Sequence, residues 1–334
     1  MTAYRGAPLA HDFDPEASAN YPQQMRVIRW GRSAVETDDD VAHEADVARA
    51  LGFDWSILSA SASPQGADVL LVHSGQRVQS DTLMNMRPKS WVLTTTSGVD
   101  HIDLEAARES EVRVARCPLA RRDPVVGWTL CALEALLRRQ PALDRAARSG
   151  RWARADLPGL GPRTLSDSTV VVVGLGVIGW TVASRLQQLG ARVRGVAPNV
   201  GGFGNYALSD AVADADAMTL HCALGRASHN LIDGRVLDKL PRHAVLVNTA
   251  RGDVLDLNAA TERLDRGQLG GLAVDVFPQE PWPHLSDLAA RGVWTTPHAA
   301  GFVHDLGRRV RNEVAGALAA IAAHQDPPHE VIRG

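Results

Sequence analysis

Short apolar runs alternate with amphipathic stretches along almost the whole chain. Val27-Ile28 is followed by Asp38-Asp39-Asp40, three acids suited to the positive end of a helix, and a helical pattern follows them. Apolar runs at 67–72, 91–94 and 112–115 come next, each separated by a helix-length stretch, which predicts a parallel sheet built from βαβ units. Asp123-Pro124 predicts a helix start, a capping carboxylate before a proline whose missing N–H costs nothing at the first helical position. The apolar stretch beyond it runs to about Arg139, and this helix is expected to join two domains. The following RSGRWARADLPGLGPRTL, rich in Gly, Pro and Arg and without an apolar period, is expected to form an arm or loop. Strands are then predicted at 169–173, 192–197, 217–221, 244–248, 272–275 and 293–296, giving a second, doubly wound sheet. A long alanine-rich helix over 303–323 follows, and residues 1–24, with Pro8, Pro15 and Pro22, are expected to be an irregular N-terminal extension.

Composition narrows the function classes. With 334 residues, 45 % of them hydrophobic, the chain is long enough for two buried cores. A net charge of -3 gives no global pull toward nucleic acid or an anionic membrane, and neither is expected as a partner. All but two of the 35 basic residues are arginine, which reads mostly as codon bias. Cys117, Cys131 and Cys222 are odd in number and widely spaced, so neither a disulfide framework nor a zinc-type pair is expected, and no metal. The first residues lack an apolar signal core and no run approaches the ~20 apolar residues that span a bilayer, which points to a cytoplasmic protein.

Chemistry enters at Val170 to Val173, which lead into Gly174-Leu175-Gly176-Val177-Ile178-Gly179 and then a helix with Val182, Leu186 and Leu189 on one face. This is the strand, glycine turn and helix of a dinucleotide site. The first glycine allows the tight turn, the second lets a pyrophosphate approach the backbone, and the third lets helix and strand pack closely. Glycines in turns often serve the turn alone; the flanking strand and helix favour the cofactor. The ribose-binding acid expected about 20 residues on is missing, because Ala197 holds that position. No Arg or Lys follows before Arg226 to attract a 2′-phosphate, so NAD is preferred and NADP is kept as the alternative.

Three further blocks follow in order: Asn248-Thr249-Ala250-Arg251-Gly252-Asp253, then Asp275-Val276-Phe277-Pro278-Gln279-Glu280-Pro281, then Thr296-Pro297-His298-Ala299-Ala300-Gly301. With the glycine loop, their order and spacing over about 90–305 resemble the D-isomer-specific 2-hydroxyacid dehydrogenases, the family of phosphoglycerate, glyoxylate and D-lactate dehydrogenases. The resemblance implies an α/β chain of two Rossmann-like domains with parallel doubly wound sheets and a cleft active site between them. Residues 25–120 with 303–334 would form a flavodoxin-like substrate domain and 121–302 the NAD(P)-binding Rossmann domain. A homodimer through the cofactor domain is also implied, with the helix after Pro124 and the arm to Leu165 as contacts.

Oxidising a 2-hydroxy acid removes a hydride from C2 and a proton from its oxygen, so a site needs a cofactor, a base and a carboxylate anchor. The resemblance assigns acid/base work to His298, orientation of its imidazole to Glu280, and the carboxylate of a small anionic substrate to Arg251, whose fork of donors suits it. It places Gly174, Gly176, Val177, Ile178, Gly179, Ala197, Cys222, Ala223, Thr249, Ala250, Asp275 and His298 along the cofactor, with Asp275 at the nicotinamide carboxamide. Taken singly, His298 could be a packed or surface histidine, Arg251 a solvated turn residue, Glu280 a loop end and Asp275 a strand cap.

In the first half, Thr96-Ser97-Gly98-Val99-Asp100-His101-Ile102-Asp103 resembles the family's GxDxID loop, whose backbone around Gly98 and Val99 would hold the substrate carboxylate; the alternative is a plain turn before a helix. His73 and Ser74 stand in a substrate loop where phosphoglycerate-oxidising relatives tend to carry arginine, which weakens 3-phosphoglycerate as substrate. Where the family often reads a variant of VAE, this chain has Val125-Val126-Gly127-Trp128, preceded by Arg121 and Arg122. Two cations beside a helix N-terminus call for an anion, either Asp123 or a partner subunit, or a second acidic group on the substrate near Arg121. Two rivals remain on sequence alone: a dinucleotide-sensing, corepressor-like binding protein, which would not need the acid/base pair, and a formate- or phosphite-type enzyme. Formate enzymes tend to carry Gln where this chain has Glu280.

Overall fold

The computed structural model describes residues 24–33, 36–197 and 202–332, so the expected N-terminal extension lies outside the described residues except for Gln24. The chain divides into two compact units, each considered by itself. The first holds the described residues up to Thr95, then Ile102–Arg116 and the chain from Arg311; the second holds Thr96–His101 and Cys117–Val310. Against the boundaries expected from sequence, the 96–101 loop, residues 117–120 and residues 303–310 group with the second unit.

The first unit runs β1 (Arg26–Trp30), α1 (Asp38–Ala50), β2 (Asp54–Leu58), β3 (Val69–Val72), α2 (Ser80–Met84), β4 (Trp91–Thr94), α3 (Leu104–Glu109) and β5 (Arg113–Arg116). Thr37 and Asp40 form a reciprocal capping box at the start of α1, beside the acids that the sequence marked. β3 and β4 are buried throughout, as expected of strands covered on both faces.

The second unit begins with α4 (Leu119–Leu137), α5 (Gln140–Arg148) and α6 (Leu157–Leu160) and continues with β6 (Thr169–Val173), α7 (Val177–Gln188), β7 (Arg192–Val196), α8 (Leu208–Ala211), β8 (Ala217–Leu220), α9 (Gly234–Leu237), β9 (Val245–Asn248), α10 (Leu257–Asp265), β10 (Gly271–Val274), α11 (Leu285–Ala290) and β11 (Trp294–Thr295). The chain closes with α12 (Leu306–Ala322) and β12 (Glu330–Ile332).

The first sheet has the order β12-β5-β4-β3-β1-β2. All its pairings are parallel except β12 against β5. β2 and β12 were not anticipated. β2 reads DWSIL, a partly exposed edge strand without an apolar run, and β12 is only 3 residues long. The second sheet is wholly parallel, in the order β11-β10-β9-β8-β6-β7, and holds the six strands the sequence predicts. β6 sits inside it: Val170 and Val172 enter one apolar layer, Val171 and Val173 the opposite one. Fully burying such a side chain contributes roughly 1.5–3 kcal/mol, so this strand is a firm base for the loop that follows it.

The helix expected to start at Asp123-Pro124 starts instead at Leu119, with Pro118 at its N-cap and Pro124 inside it. Pro124 is the sixth helical residue, past the first turn, so it cannot donate the i→i−4 bond to the Ala120 carbonyl, yet the helix runs through it with Ala120, Val125 and Val126 buried. Arg121 and Arg122 therefore lie in the first turn, not ahead of it. The expected arm contains α6 and a 3-10 turn at Ala153–Asp156. It is anchored by Arg139, 7 % exposed, whose guanidinium donates to the carbonyls of Leu160 (2.9 Å), Gly270 (2.5 Å) and His243 (3.0 Å). Among the described residues no helix is long and apolar enough to cross a membrane.

Candidate active site

At the end of β6, Gly174 has φ 89°, and a Cβ there would lie 2.4 Å from the Cys222 nitrogen. A Cβ on Gly179 would lie 1.9 Å from the Gly174 carbonyl oxygen. Both glycines are therefore demanded by the protein's own packing. Gly176 is different: a Cβ there would meet nothing within 4 Å. It is the N-cap of the 12-residue α7 and provides no side-chain cap, so the first N–H groups of α7, from Val177 and Ile178 onward, border open space. An open approach to the positive end of a helix fits a pyrophosphate. Beside this loop, burial pushes the Cys222 thiol up, and Ala223 is exposed. Ala197, buried after β7, offers no carboxylate, and residues 198–201 lie outside the described ones.

Beyond β9, the side chain of Asn248 clamps the turn that carries Arg251. Its oxygen accepts from the Ala250 N–H at 3.0 Å and its amide donates to the Arg251 carbonyl at 2.9 Å. The guanidinium donates to the Ala250 carbonyl at 2.7 Å, and its Nε and Nη2 donate to Asp100 at 3.0–3.1 Å. Burial opposes ionisation of Asp100, but the hydrogen bond and charge of Arg251 outweigh it and hold the carboxyl below its ordinary value. A Cβ on Gly98 would fall 1.7 Å from Arg251 Nη2, so this close approach depends on glycine. Gly98, Val99 and Arg251 are thus brought together within the second unit.

His298 lies in the turn after β11 with φ 53°, a left-handed conformation that costs a non-glycine residue about 1–3 kcal/mol. Asp275, 2 % exposed, holds that turn. Its carboxylate accepts from Thr296 Oγ1 (2.5 Å) and from the N–H groups of Ala299 (2.7 Å) and Ala300 (3.0 Å), and its carbonyl accepts from the His298 N–H (2.7 Å). Burial pushes the Asp275 carboxyl up in spite of these bonds. His298 Nδ1 donates to Glu280 Oε2 at 2.7 Å, and the other Glu280 oxygen accepts from the Phe277 N–H at 3.0 Å. Burial works against the Glu280 charge, yet the bonds from His298 and Phe277 and the charges of His298 and Arg251 hold its carboxyl below the ordinary range. With Nδ1 fixed by a carboxylate, Nε2 is the ring position left for proton transfer.

Residues 130–300 match the family model described as D-isomer specific 2-hydroxyacid dehydrogenase, NAD binding domain, and residues 59–139 match its catalytic domain. The chain belongs to the D-isomer specific 2-hydroxyacid dehydrogenases. It is an oxidoreductase of hydroxy and oxo acids that carries the family's NAD binding domain, with NAD as cofactor. It is 31 % identical to a glyoxylate reductase of Thermofilum pendens, over 78 % of this chain and 80 % of that one. It is 32 % identical to a glyoxylate/hydroxypyruvate reductase of Arabidopsis thaliana, over 69 % of this chain and 72 % of the other. A solved D-lactate dehydrogenase from Aquifex aeolicus, with NAD and lactic acid, shares the fold at a TM-score of 0.75 and 20 % identity, covering 92 % of this chain and 99 % of that chain.

Within this 2-hydroxyacid dehydrogenase, sequence reasoning missed the turn-holding task of Asp275, the clamp of Asn248 and the partnership of Asp100. It also missed His221, a half-buried residue whose ring lies between Thr219 Oγ1 (3.0 Å) and Thr249 Oγ1 (3.4 Å) and is kept neutral by desolvation, its pKa lowered to about 3. The signals beforehand for Asp275, Asn248 and Asp100 were their places in the singled-out segments: Asp100 two residues after Gly98, Asn248 and Asp275 at the head of two ordered blocks. Arg122 pairs with Asp123 at 2.9 and 3.1 Å. The aliphatic stem of Arg121 runs 3.4–3.5 Å from where a Cβ of Gly301 would stand, along the loop that carries His298. His73 and Ser74 belong to the first unit, in the loop after β3.

Proposed function

We propose that the protein interconverts a D-2-hydroxy acid and the corresponding 2-oxo acid, with His298 as acid/base, Glu280 orienting it and Arg251 binding the substrate carboxylate. The observation that carries this reading is the 2.7 Å His298–Glu280 pair in the same unit as Arg251. NAD, when bound, supplies or accepts the hydride at C2. Glu280 fixes the Nδ1 proton, so Nε2 takes the hydroxyl proton in oxidation and returns it in reduction. Arg251 exchanges its contact with Asp100 for the substrate carboxylate, which the N–H groups of Gly98 and Val99 join. The loop Gly174 to Gly179 would hold the pyrophosphate, Ala197, Cys222, Ala223, Thr249 and Ala250 the rest of the cofactor, and Asp275 the nicotinamide carboxamide. A homodimer through the second unit belongs to the same reading.

Following the reduced-nicotinamide absorbance with glyoxylate, pyruvate and hydroxypyruvate, each with NADH and NADPH, tests the proposal. Turnover with at least one acid is expected, with NADH the better donor. No turnover with any would move the weight to the dinucleotide-sensing alternative.

Two substitutions refine the site. In Gly98→Ala the new Cβ would crowd the Arg251 guanidinium and the Asp100 carboxylate, so their pair is disturbed and a stability loss of about 0.5–3 kcal/mol is expected as Arg251 is pushed aside. A KM for the 2-oxo acid raised about tenfold, equivalent to about 1.4 kcal/mol, is expected; an unchanged KM would separate Gly98 from the carboxylate site. For the double variant Arg121→Ala with Arg122→Ala, the Asp123 pair and the packing on Gly301 favour a supporting role. Mono- and dianionic substrates should then suffer alike; a KM raised for dianionic substrates alone would assign Arg121 to a second acidic group.

A further inference from the structure

Glu280 sits in residues 275–284, a stretch between β10 and α11 that contains neither helix nor strand. Its side chain is 37 % exposed, and among the described residues its hydrogen-bond partners are His298 Nδ1 on Oε2 and the Phe277 N–H on Oε1. A long carboxylate side chain with so little packing of its own stands where those two bonds put it. Phe277, 6 % exposed, is therefore a fixed point of the site, and it meets the neighbouring turn as well. A Cβ on Gly252 would fall 1.9 Å from the Phe277 carbonyl carbon and 2.2 Å from the Pro278 nitrogen, so the turn that carries Arg251 rests directly on the Phe277–Pro278 peptide.

Phe277 is held in turn by Trp282. The two rings are stacked, with centroids 5.9 Å and planes 17° apart. The indole also meets the His284 ring edge-on, at 6.0 Å and 79°. Trp282 is partly buried against the apolar layer that contains Phe277, Ala250 and Val254, so it shares a foundation with the residues flanking Arg251. Its indole N–H is buried and, among the described residues, has no hydrogen-bond partner. An unpaired buried donor opposes folding, so what the indole contributes here is a flat apolar face and not a bond.

We propose that Trp282 is a positioning residue for the acid/base pair: its ring holds Phe277, the Phe277 N–H holds Glu280 Oε1, and the carboxylate is thereby set against His298 Nδ1. The proposal rests on the functional reading above, in which Glu280 orients the His298 ring. Trp282 acts only through Phe277 and Glu280. Without the stack, Phe277 and its N–H are free to shift, and the carboxylate loses one of its two bonds. A displacement of about 1 Å at a reacting group can cost on the order of 10²-fold in rate, so a partial loosening should cost about tenfold.

A double-mutant cycle tests it, with kcat measured for Trp282→Ala, Glu280→Gln and the two combined, on whichever of glyoxylate, pyruvate and hydroxypyruvate is reduced fastest. Trp282→Ala should lower kcat about tenfold and leave NADH affinity, read by fluorescence titration, within about twofold. In the Glu280→Gln background the same substitution should cost less than about twofold, because the group it positions has already lost its task. Trp282→Phe keeps a ring face and removes the unpaired donor, and should recover most of kcat. Should Trp282→Ala fail to fold, Trp282→Leu takes its place in the cycle, since it keeps the apolar volume without a flat ring. An unchanged kcat in Trp282→Ala, the same loss in both backgrounds, or no recovery in Trp282→Phe would overturn the positioning role alone. An unchanged kcat in Glu280→Gln would refute the functional reading with it.

Discussion

His298→Ala is expected to lower kcat for 2-oxo acid reduction by about 10²–10⁴-fold, the usual contribution of a positioned acid/base, while leaving NADH binding near its original strength. The ring is attached to a turn whose N–H groups are bound by Asp275, so truncating it leaves that turn in place. Turnover and a fluorescence titration of NADH check the two halves; near-normal turnover would remove His298 from the chemistry. Glu280→Gln tests the orienting role. The Glu280 carboxyl is held below its ordinary value although burial opposes this, and among the causes are the hydrogen bond and charge of His298, so the carboxylate stays ionised through the neutral range and accepts from the His298 Nδ1–H there. A neutral amide gives up that charge attraction, and Glu280→Gln should lower kcat in both directions; an unchanged kcat would leave Glu280 without an orienting task.

The second large effect is expected at Arg251. Removing it takes away the carboxylate anchor and leaves Asp100 without the partner that keeps its carboxyl low despite burial. Arg251→Ala should reduce kcat/KM by about 10²–10³-fold, comparable to the loss of one oriented donor to a reacting oxygen. Arg251→Lys keeps the charge without the fork and should recover only part of this. Adding Asp100→Asn to Arg251→Ala removes the stranded anion. If recovery is then complete, the defect came from Asp100 rather than from a lost substrate contact. Steady-state kinetics on the three variants, with circular dichroism to verify folding, distinguishes these outcomes.

Much of the second unit was legible beforehand because its strands are covered on both faces and read as uninterrupted apolar runs. The four valines of β6 followed by Gly174 are the clearest case, and the ordered blocks around Arg251, Glu280 and His298 marked the candidate site. β2 escaped because an edge strand needs no apolar run, and β12 because three residues carry no period. The start of α4 was misplaced by reading Pro124 as a boundary, when burial of Ala120 was the stronger local term. The return of the chain to the first unit was also hidden: there Arg311 donates to Asp40 of α1 at 3.2 Å, a contact across 271 positions that no local pattern encodes. Asp275 and Asp100 share that difficulty, because their partners lie 24 and 151 positions away; Asn248, whose partners are 2 and 3 positions on, is a local clamp that its type alone does not announce.

The most direct test of the central claim uses NADH deuterated at the transferable C4 position with hydroxypyruvate or glyoxylate, followed by mass and chiral analysis of the product. Deuterium on C2 of the hydroxy acid, in the D configuration where hydroxypyruvate is the substrate, is the predicted result. NADH oxidation with no deuterium in the hydroxy acid, or an L product, would contradict it.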